Sequence, residues 1–529
     1  MRIFARSLVM LASFALLLGV ALGQDRTLII AVPGDIQNLD PTLSSGDTLT
    51  QEVLTSVYSF LIDFERVQDD DGTWRGLSTS FVGDVAESFE LNDDGTQITF
   101  HLREGIKFSN GDPIDAHAVK FTYDRLFGQQ GVTAFLTSMA AVTGPDSVHV
   151  IDDTTVAFDI DTPNTLLLGN MAQFGHSILN PNVVEPHMTE DDPWAHEWLR
   201  NNTGGTESGP YVIESWDRGN EIVLARNPNY WGTVENDRVI LKIIPDPSSR
   251  LAQLRAGAID VAVDIPTKDL AALERDPNVN VRTFTTRSVG YLGMNAEIPP
   301  FDNVDVRRAI SYVVPYQTIL DNVLNGYGVQ LTSPIPEGTP YHTDDFFVYE
   351  ENPERARELL AQAGYPNGFE TNFTIPAGNA EAREAAVWIQ ASLRDVGVDV
   401  TIDEMPAAAF TERMQQRDHA FFWANQWISI NNDPFYHVFW LLQAECCNYT
   451  KYQNDRVWGL IDEFTLNTDE AAREEAAREI QRLAVEEAAW VFLFQPDQIV
   501  TTGANIEGYT WYSADRYLRP QYLRSTTWD

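Results

Sequence analysis

The chain has 529 residues, in which 36 lysine and arginine side chains stand against 77 aspartate and glutamate side chains, for a formal net charge of -41. Because phosphate backbones are bound through clustered lysine and arginine, this charge argues strongly against a nucleic-acid-binding protein. The length predicts at least two domains, and an apolar fraction of 43% with 11% aromatic residues is typical of a globular chain. We interpret the acidic surface as a source of solubility, with recruitment of a cationic ligand as the alternative.

The N-terminus has the pattern of a secretory signal. Arg2 and Arg6 precede the apolar run Leu8–Val20, and Ala21-Leu22-Gly23 places small residues at a cleavage site. A membrane anchor, which is the alternative, needs about 20 apolar residues, and this run is shorter. We therefore expect residues 1–23 to be a signal peptide that is cleaved after Gly23, and the mature protein to be soluble and periplasmic or extracellular.

Strand periods and helix periods alternate along the chain, which predicts an α/β fold. Phe89–Arg103 is predicted as a β-hairpin, because alternating apolar residues flank the turn sequence Asn92-Asp93-Asp94-Gly95. Further along, Val306–Val313 is predicted as a helix with Arg307 and Arg308 on its exposed side.

A β-α-β unit is predicted between Phe369 and Glu404, and such crossovers make parallel sheets. Its helix, Ala380–Val396, has Trp388, Ile389 and Leu393 on one face. Two more helices are predicted at Glu354–Ala363 and Glu470–Ala489.

Only two cysteines occur, and they are neighbours, Cys446 and Cys447. Export permits disulfides, but a bond between neighbours closes a strained eight-membered ring, so free thiols and a disulfide both stay open. Two cysteines with His437 as the nearest histidine match no standard zinc spacing. We expect no metal site.

An exported hydrolase is the main competing class of protein. The chain lacks the Gly-x-Ser-x-Gly nucleophile elbow, the His-Glu-x-x-His zinc motif and the glycine-rich phosphate loop. A glycosidase-type pair of carboxylates stays open, because acidic residues are so numerous. We therefore expect a binding protein without a reaction or a cofactor.

Several segments, in order along the mature chain, match one family. These segments are Thr27–Ile30 with Leu39-Asp40-Pro41, Phe100–Phe108 with Asn110-Gly111-Asp112-Pro113, Ser208–Tyr211 with Leu224–Trp231, Leu254–Asp260, and Phe301–Ile310. Their order and spacing together are specific. In them the sequence resembles the extracytoplasmic solute-binding proteins of ABC importers, in the oligopeptide/dipeptide-binding family (extracellular solute-binding protein family 5).

The resemblance implies an α/β two-lobe periplasmic binding protein fold, with hinge crossings between the lobes and an extra subdomain in the first lobe. Lobe I is expected to combine residues 24–60, 202–285 and 495–529, with the extra subdomain at 61–201. Lobe II is expected at 286–494. The function implied is capture of a solute between the lobes, followed by recognition of the closed form by a membrane permease.

The family's ligand-contacting stretch aligns with the aromatic segment that begins at Phe421. In peptide binders of the family, an acidic residue three places after a tryptophan holds the peptide's α-ammonium group; Trp427 matches that tryptophan, and Ile430 stands at the acidic place. Asp433 is a candidate substitute, although it also fits a simple Asp-Pro turn. The full set of expected ligand contacts is Gly34, Asp35, Ile36, Trp423, Trp427, Ile430, Asn431, Asn432, Asp433, Tyr436 and Phe494.

We therefore expect a monomeric subunit that delivers a peptide-like solute to an ABC permease. Because a buried ammonium without a carboxylate partner is costly, the missing acid at Ile430 favours solutes without a free amine, and an oligosaccharide is the alternative. Phe421, Trp423 and Trp440 also fit an ordinary core. An exported hydrolase and a sensory ligand-binding subunit are the alternatives from other classes.

Overall fold

The computed structural model describes residues 26–43, 47–424, 427–513 and 518–528. The predicted signal peptide and its cleavage site lie outside these residues. Strands and helices alternate along the described chain, and no helix in it is both long and apolar enough to cross a membrane.

The strands of the described residues, in chain order, are β1 Thr27–Val32, β2 Ile62–Gln68, β3 Trp74–Gly83, β4 Ala86–Leu91, β5 Gln97–Leu102, β6 Val148–Asp152, β7 Thr155–Asp159, β8 Tyr211–Asp217, β9 Glu221–Arg226, β10 Arg238–Ile243, β11 Val261–Ala262, β12 Val279–Thr285, β13 Gly290–Met294, β14 Gly328–Gln330, β15 Glu370–Pro376, β16 Asp399–Met405, β17 Phe421–Trp423, β18 Val491–Gly503, β19 Ile506–Glu507, β20 Thr510–Tyr512 and β21 Arg524–Ser525.

The α-helices of the same residues are α1 Thr48–Val57, α2 Ala116–Gln129, α3 Val132–Met139, α4 Leu167–Met171, α5 Pro181–Val184, α6 His196–Leu199, α7 Pro247–Arg255, α8 Thr267–Leu273, α9 Val304–Ser311, α10 Tyr316–Thr318, α11 Pro353–Gln362, α12 Ala380–Asp395, α13 Ala407–Gln416, α14 Pro434–Val438, α15 Asp455–Phe464 and α16 Glu470–Glu486. Short 3₁₀ and π turns extend some of them.

One long strand, β18, ties the main sheet together. The order of this sheet is β16-β15-β17-β13-β18-β11-β1-β10-β9-β8, and β12 and β14 also pair with β18. The first half of β18 pairs with β13 and β14, and its second half pairs with β11 and β12. The change of partner falls between Pro496, opposite Gly328, and Asp497, opposite Thr285.

A separate four-stranded sheet, β4-β5-β7-β6, lies within the 61–201 segment. The predicted hairpin is confirmed, with Phe89 opposite Phe100 across β4 and β5. Gly95 has a φ of 72°, the left-handed conformation that suits glycine in this turn. A core cluster under this sheet also includes Tyr436 from the distant C-terminal half of the chain.

The predicted β-α-β unit is also confirmed, since β15 and β16 pair in parallel and α12 connects them. One detail of that prediction is wrong. Trp388 is 41% exposed, because the buried face of α12 is centred on Ala385, Ile389 and Leu393 and leaves position 388 outside it.

The prediction that Arg307 lies on the exposed side of its helix is wrong as well. Its side chain is buried and donates to the carbonyls of Phe301, Glu487 and Ala488. The carbonyls of Glu487 and Ala488, just beyond the end of α16, need donors, and a guanidinium supplies several at once.

A buried ion pair fastens the Leu-Asp-Pro turn that follows β1. The side chains of Asp40 and Arg125 are both fully buried, and Arg125 Nη1 lies 3.0 Å from Asp40 Oδ1. The ring of His196 adds a hydrogen bond from Nδ1 to Asp40 Oδ2 at 2.7 Å. Burial alone would raise the pKa of Asp40, but the His196 hydrogen bond and the Arg125 charge lower it to about 2. The same hydrogen bond raises the pKa of His196 above 6.5.

Replacing His196 with glutamine should remove a pH-dependent part of the stability. Because the pKa of His196 is raised in the folded state, its contribution is complete below pH 6.5 and is lost as pH rises through the raised value. We expect the variant to lose more free energy of unfolding, measured by urea denaturation, at about pH 5.5 than at about pH 9. His117→Gln, at an exposed histidine, is the control. A loss that grows towards the higher pH would contradict this linkage.

Candidate ligand-binding cleft

Residues 427–433, here called the Trp427 loop, connect the region of β17 to helix α14. The loop starts as a continuation of the sheet, since Val289 N donates to the Trp427 carbonyl at 2.8 Å and Trp427 N donates to the Val289 carbonyl at 3.1 Å. It ends where Asp433 caps α14. The two residues before Trp427 lie outside the described part of the chain.

The carboxylate of Asp433 is buried and has partners on three sides. Oδ1 accepts hydrogen bonds from the backbone of Phe435 at 2.8 Å and Tyr436 at 3.2 Å, as an N-cap does. Oδ2 forms an ion pair with Arg473 of α16 and accepts a hydrogen bond from the Thr165 hydroxyl at 2.6 Å. The structure therefore supports the interpretation of Asp433 as part of an Asp-Pro turn. The negative charge of this carboxylate is already compensated by Arg473.

Other loop residues reach across to the 61–201 segment. Asn431 Nδ2 donates to the Leu166 carbonyl at 3.0 Å and to Asn170 Oδ1 at 2.8 Å. Gln173 Nε2 donates to the Ile430 carbonyl at 2.8 Å. These contacts dock the Trp427 loop onto residues 165–173, which we call the docking segment.

Asn432 makes a further contact with the 61–201 segment, because its Nδ2 donates to the Ser78 hydroxyl at 2.8 Å. Its Oδ1 is buried without a hydrogen-bond partner. The Ile430 side chain is half-buried and packs against the core of the 61–201 segment. The half-buried indole of Trp427 meets the His437 ring edge-on, with centroids 4.9 Å apart.

Three of the expected ligand contacts are buried among other side chains. Trp423 and Phe494 are 1% and 0% exposed, since β17 and β18 are inner strands that are covered on both faces. Tyr436 is buried next to Trp440, with ring centroids 6.0 Å apart. Trp423 and Phe494 also contact each other, with ring centroids 5.8 Å apart.

The residues that follow β1 have separate roles. The Asp35 carboxylate accepts hydrogen bonds from Trp216 Nε1 and from the backbone of Gly219, both at 2.8 Å, which joins this loop to the β8–β9 turn. Ile36 is buried in the core. Gly34 is half-exposed, and a Cβ built on it would meet nothing within 4 Å.

A cavity of about 550 Å³ opens beside these residues. It lies at the carboxyl ends of the parallel strands β1 and β11, where ligands bind in many α/β proteins. The second half of β18 and the side chains of Leu324 and Tyr327 form other walls. Its acidic lining residues are Asp47, Glu52, Asp264, Glu381 and Asp497.

The cavity residues were not among the expected ligand contacts. Asp497 is half-buried, and burial raises the pKa of its carboxyl above the usual value. Asp497 lies immediately after the point where β18 exchanges partners, which only the structure shows. Glu52 is engaged already, because it accepts hydrogen bonds from the backbone of Leu518 and Arg519.

Comparison with known proteins identifies the family of this chain. Residues 80–445 match the model of the bacterial extracellular solute-binding proteins, family 5. The chain belongs to this family. It is 30% identical to the probable D,D-dipeptide-binding periplasmic protein DdpA of Escherichia coli, over 91% of each chain. It is 27% identical to heme-binding protein A of Haemophilus influenzae, over 86% of this chain and 84% of that one.

Among solved structures, the periplasmic binding protein DppA of Helicobacter pylori, in complex with the peptide STSA, superposes with a TM-score of 0.79 at 24% identity. The match covers 94% of this chain and 98% of that one, and it supports the mixed α/β periplasmic binding protein fold. Family 5 solute-binding proteins serve ABC importers and bind peptides, and they are periplasmic or extracellular. The relatives are binding proteins and not enzymes.

The two cysteines of this solute-binding protein are free thiols in the structure, with Cys446 exposed and Cys447 half-buried. A hydrogen bond from Cys447 lowers the pKa of Cys446 to about 7. Within residues 26–43, 47–424, 427–513 and 518–528, no three side chains of histidine, cysteine, aspartate or glutamate are grouped to hold a metal ion.

Replacing Gly169 of α4 with alanine should weaken the docking of the Trp427 loop. A Cβ at this position would lie 2.6 Å from Asn431 Nδ2, so the asparagine must move and lose two hydrogen bonds. At about 1 kcal/mol for each bond, we expect binding to weaken by about tenfold or more. The measurement is calorimetry with the solute extracted from denatured unaltered protein.

The matched control is Gly144→Ala, since a Cβ there meets nothing within 4 Å and the backbone is extended. It should bind as the unaltered protein does. Equal affinities for Gly169→Ala and Gly144→Ala would show that docking of the loop contributes nothing to binding.

Proposed function

We propose that this protein captures a peptide-like solute between two lobes, outside the cytoplasm, and delivers it to the permease of an ABC importer. The observation that supports this most is the docking of the Trp427 loop onto Ser78 and the docking segment. A loop that forms hydrogen bonds across a cleft links binding of a solute in that cleft to closure of the two lobes.

The lobe boundaries that we propose are those expected from the resemblance, with the first lobe at 24–60, 202–285 and 495–529, its subdomain at 61–201 and the second lobe at 286–494. The exchange of partners along β18 between Pro496 and Asp497 supports the second crossing. The first crossing is supported by Thr286, whose hydroxyl donates to the Pro496 carbonyl at 2.7 Å. Two adjacent crossings are what a hinge needs.

The solute that fits best has no free α-ammonium group at the Trp427 loop. Ile430 offers no negative charge, and Asp433 is committed to Arg473, Thr165 and the α14 cap. An ammonium buried beside Ile430 would lose its hydration without gaining a counter-charge. A peptide with a blocked or absent amino group meets this requirement, and an oligosaccharide is the alternative.

Replacing Ile430 with aspartate should create amine recognition. We expect the unaltered protein to bind N-acetyl-Ala-Ala more tightly than Ala-Ala, and the variant to reverse this order by about tenfold, the effect of one pKa unit of added ion pairing. Isothermal calorimetry near neutral pH measures both dissociation constants. Ile430→Asn is the control, because asparagine has the shape of aspartate without its charge. This variant should keep the original order of affinities.

Two results would contradict the proposal. Submicromolar binding of Ala-Ala by the unaltered protein, abolished by Asp433→Asn, would show that Asp433 holds the amine after all. Binding of oligosaccharides with neither peptide bound would replace the peptide-like solute with a sugar.

A further inference from the structure

Arg287 lies where the first crossing, the Trp427 loop and the C-terminal segment meet. Its Nη1 donates to the Asn431 carbonyl and its Nη2 to the Ser513 carbonyl, both at 3.1 Å. The side chain is 1% exposed, and its Nε is buried without a hydrogen-bond partner. Its Cγ lies 3.6 Å from the Cβ position of Gly338, so a third loop closes over it.

This guanidinium has no acidic neighbour among the described residues. No carboxylate forms an ion pair with it, and burial alone lowers its pKa to about 10. Moving an unpaired charge out of water costs several kcal/mol, and two carbonyl acceptors offset only part of that. The charge of Arg287 is therefore uncompensated within the described fold.

Two other buried arginines show what a purely structural role looks like in this chain. Arg250 donates only to carbonyls, but the charges of Asp264 and Asp246 act on it. Arg307 also donates to carbonyls, and the charge of Glu487 acts on it. Arg287 differs from both, because burial shifts its pKa and no carboxylate charge opposes that shift.

His437 is a second unsatisfied group, near enough for the charge of Arg287 to act on it. It is fully buried, and neither ring nitrogen has a partner in good hydrogen-bond geometry. Burial and the Arg287 charge lower its pKa to about 3, against a small opposing effect of the Pro334 carbonyl, so the ring is neutral and one nitrogen is a donor. An arginine with a free Nε–H beside a neutral imidazole is a set of donors for an anion.

We propose that Arg287 binds a carboxylate of the solute beneath the Trp427 loop, with His437 as a second donor. This inference rests on the proposed function and extends it. An acidic residue that would bind an ammonium group is absent at Ile430, and a buried cation that would bind a carboxylate is present elsewhere in the proposed cleft. The solute class it names is an anionic one that bears a carboxylate and no ammonium at this loop.

The contacts of Arg287 link the anion to closure. With the loop docked, the guanidinium is shielded from solvent, so the carboxylate enters while the loop is undocked. The bond from Nη1 to the Asn431 carbonyl then holds the loop over the ion pair. The attraction between the carboxylate and the guanidinium group is strongest when the closed cleft excludes water.

The test is a cycle of two ligands and two proteins. N-acetyl-Ala-Ala with a free carboxylate and the same peptide as its C-terminal amide are titrated by calorimetry into the unaltered protein and into Arg287→Gln. We expect the unaltered protein to prefer the carboxylate by about thirtyfold, within the range for charge-assisted hydrogen bonds, and Arg287→Gln to show no preference. Arg287→Lys should restore part of it.

Arg307→Gln is the matched control, since it removes another buried guanidinium far along the chain from the Trp427 loop, and it should keep the preference for the carboxylate. If Arg287→Gln does not fold, Arg287→Lys and the unaltered protein complete the comparison, with a smaller preference expected in the lysine variant.

An equal loss of affinity for acid and amide in the Arg287 variants overturns the proposal and leaves Arg287 as a support for the loop. Equal binding of the two peptides by the unaltered protein overturns it too, but leaves the peptide-like solute in place. Failure of the unaltered protein to bind either peptide overturns both this inference and the proposed function.

Discussion

The buried carboxylate of Asp433 is the contact on which the position of the Trp427 loop depends. It caps helix α14, forms an ion pair with Arg473 of α16 and accepts a hydrogen bond from the hydroxyl of Thr165 in the docking segment. Breaking a buried pair by removing one partner costs about 3–5 kcal/mol, so this arrangement holds the Trp427 loop in one conformation. Asn431 and Asn432 immediately precede this residue and contact the docking segment and Ser78.

Because Asp433 is used in this way, the electrostatics of the cleft differ from those expected for a peptide binder with a free amine. No carboxylate is left at the loop to receive an ammonium group, and the charge beneath the loop is the positive one of Arg287. The chain as a whole is strongly acidic, yet a buried arginine lies beneath this loop. A net charge of -41 therefore does not by itself predict the charge at this point of the fold.

The parts of the fold that depend on neighbouring residues could be predicted from the sequence. The β4–β5 hairpin and the β15-α12-β16 unit each lie within about 40 residues, where hydrophobic periods and turn residues decide the outcome. The family segments likewise pointed to the periplasmic binding protein fold, which the comparisons support.

The roles of single side chains in the cleft could not be predicted in the same way. Thr165 stands 268 positions from Asp433, and the carbonyl that receives Arg287 stands 144 positions away. Arg307 looked like a surface residue because its carbonyl partners lie about 180 positions along the chain. The burial of Trp423 and Phe494 is a further example, because the sequence does not reveal that both faces of their strands are covered.

The most direct test of this account is native mass spectrometry of the protein purified from its own host, followed by identification of the solute released on unfolding. We expect a peptide-like solute with a free carboxylate and no free α-amino group. A retained solute that has a free α-ammonium group, or one that has no carboxylate, would contradict this prediction.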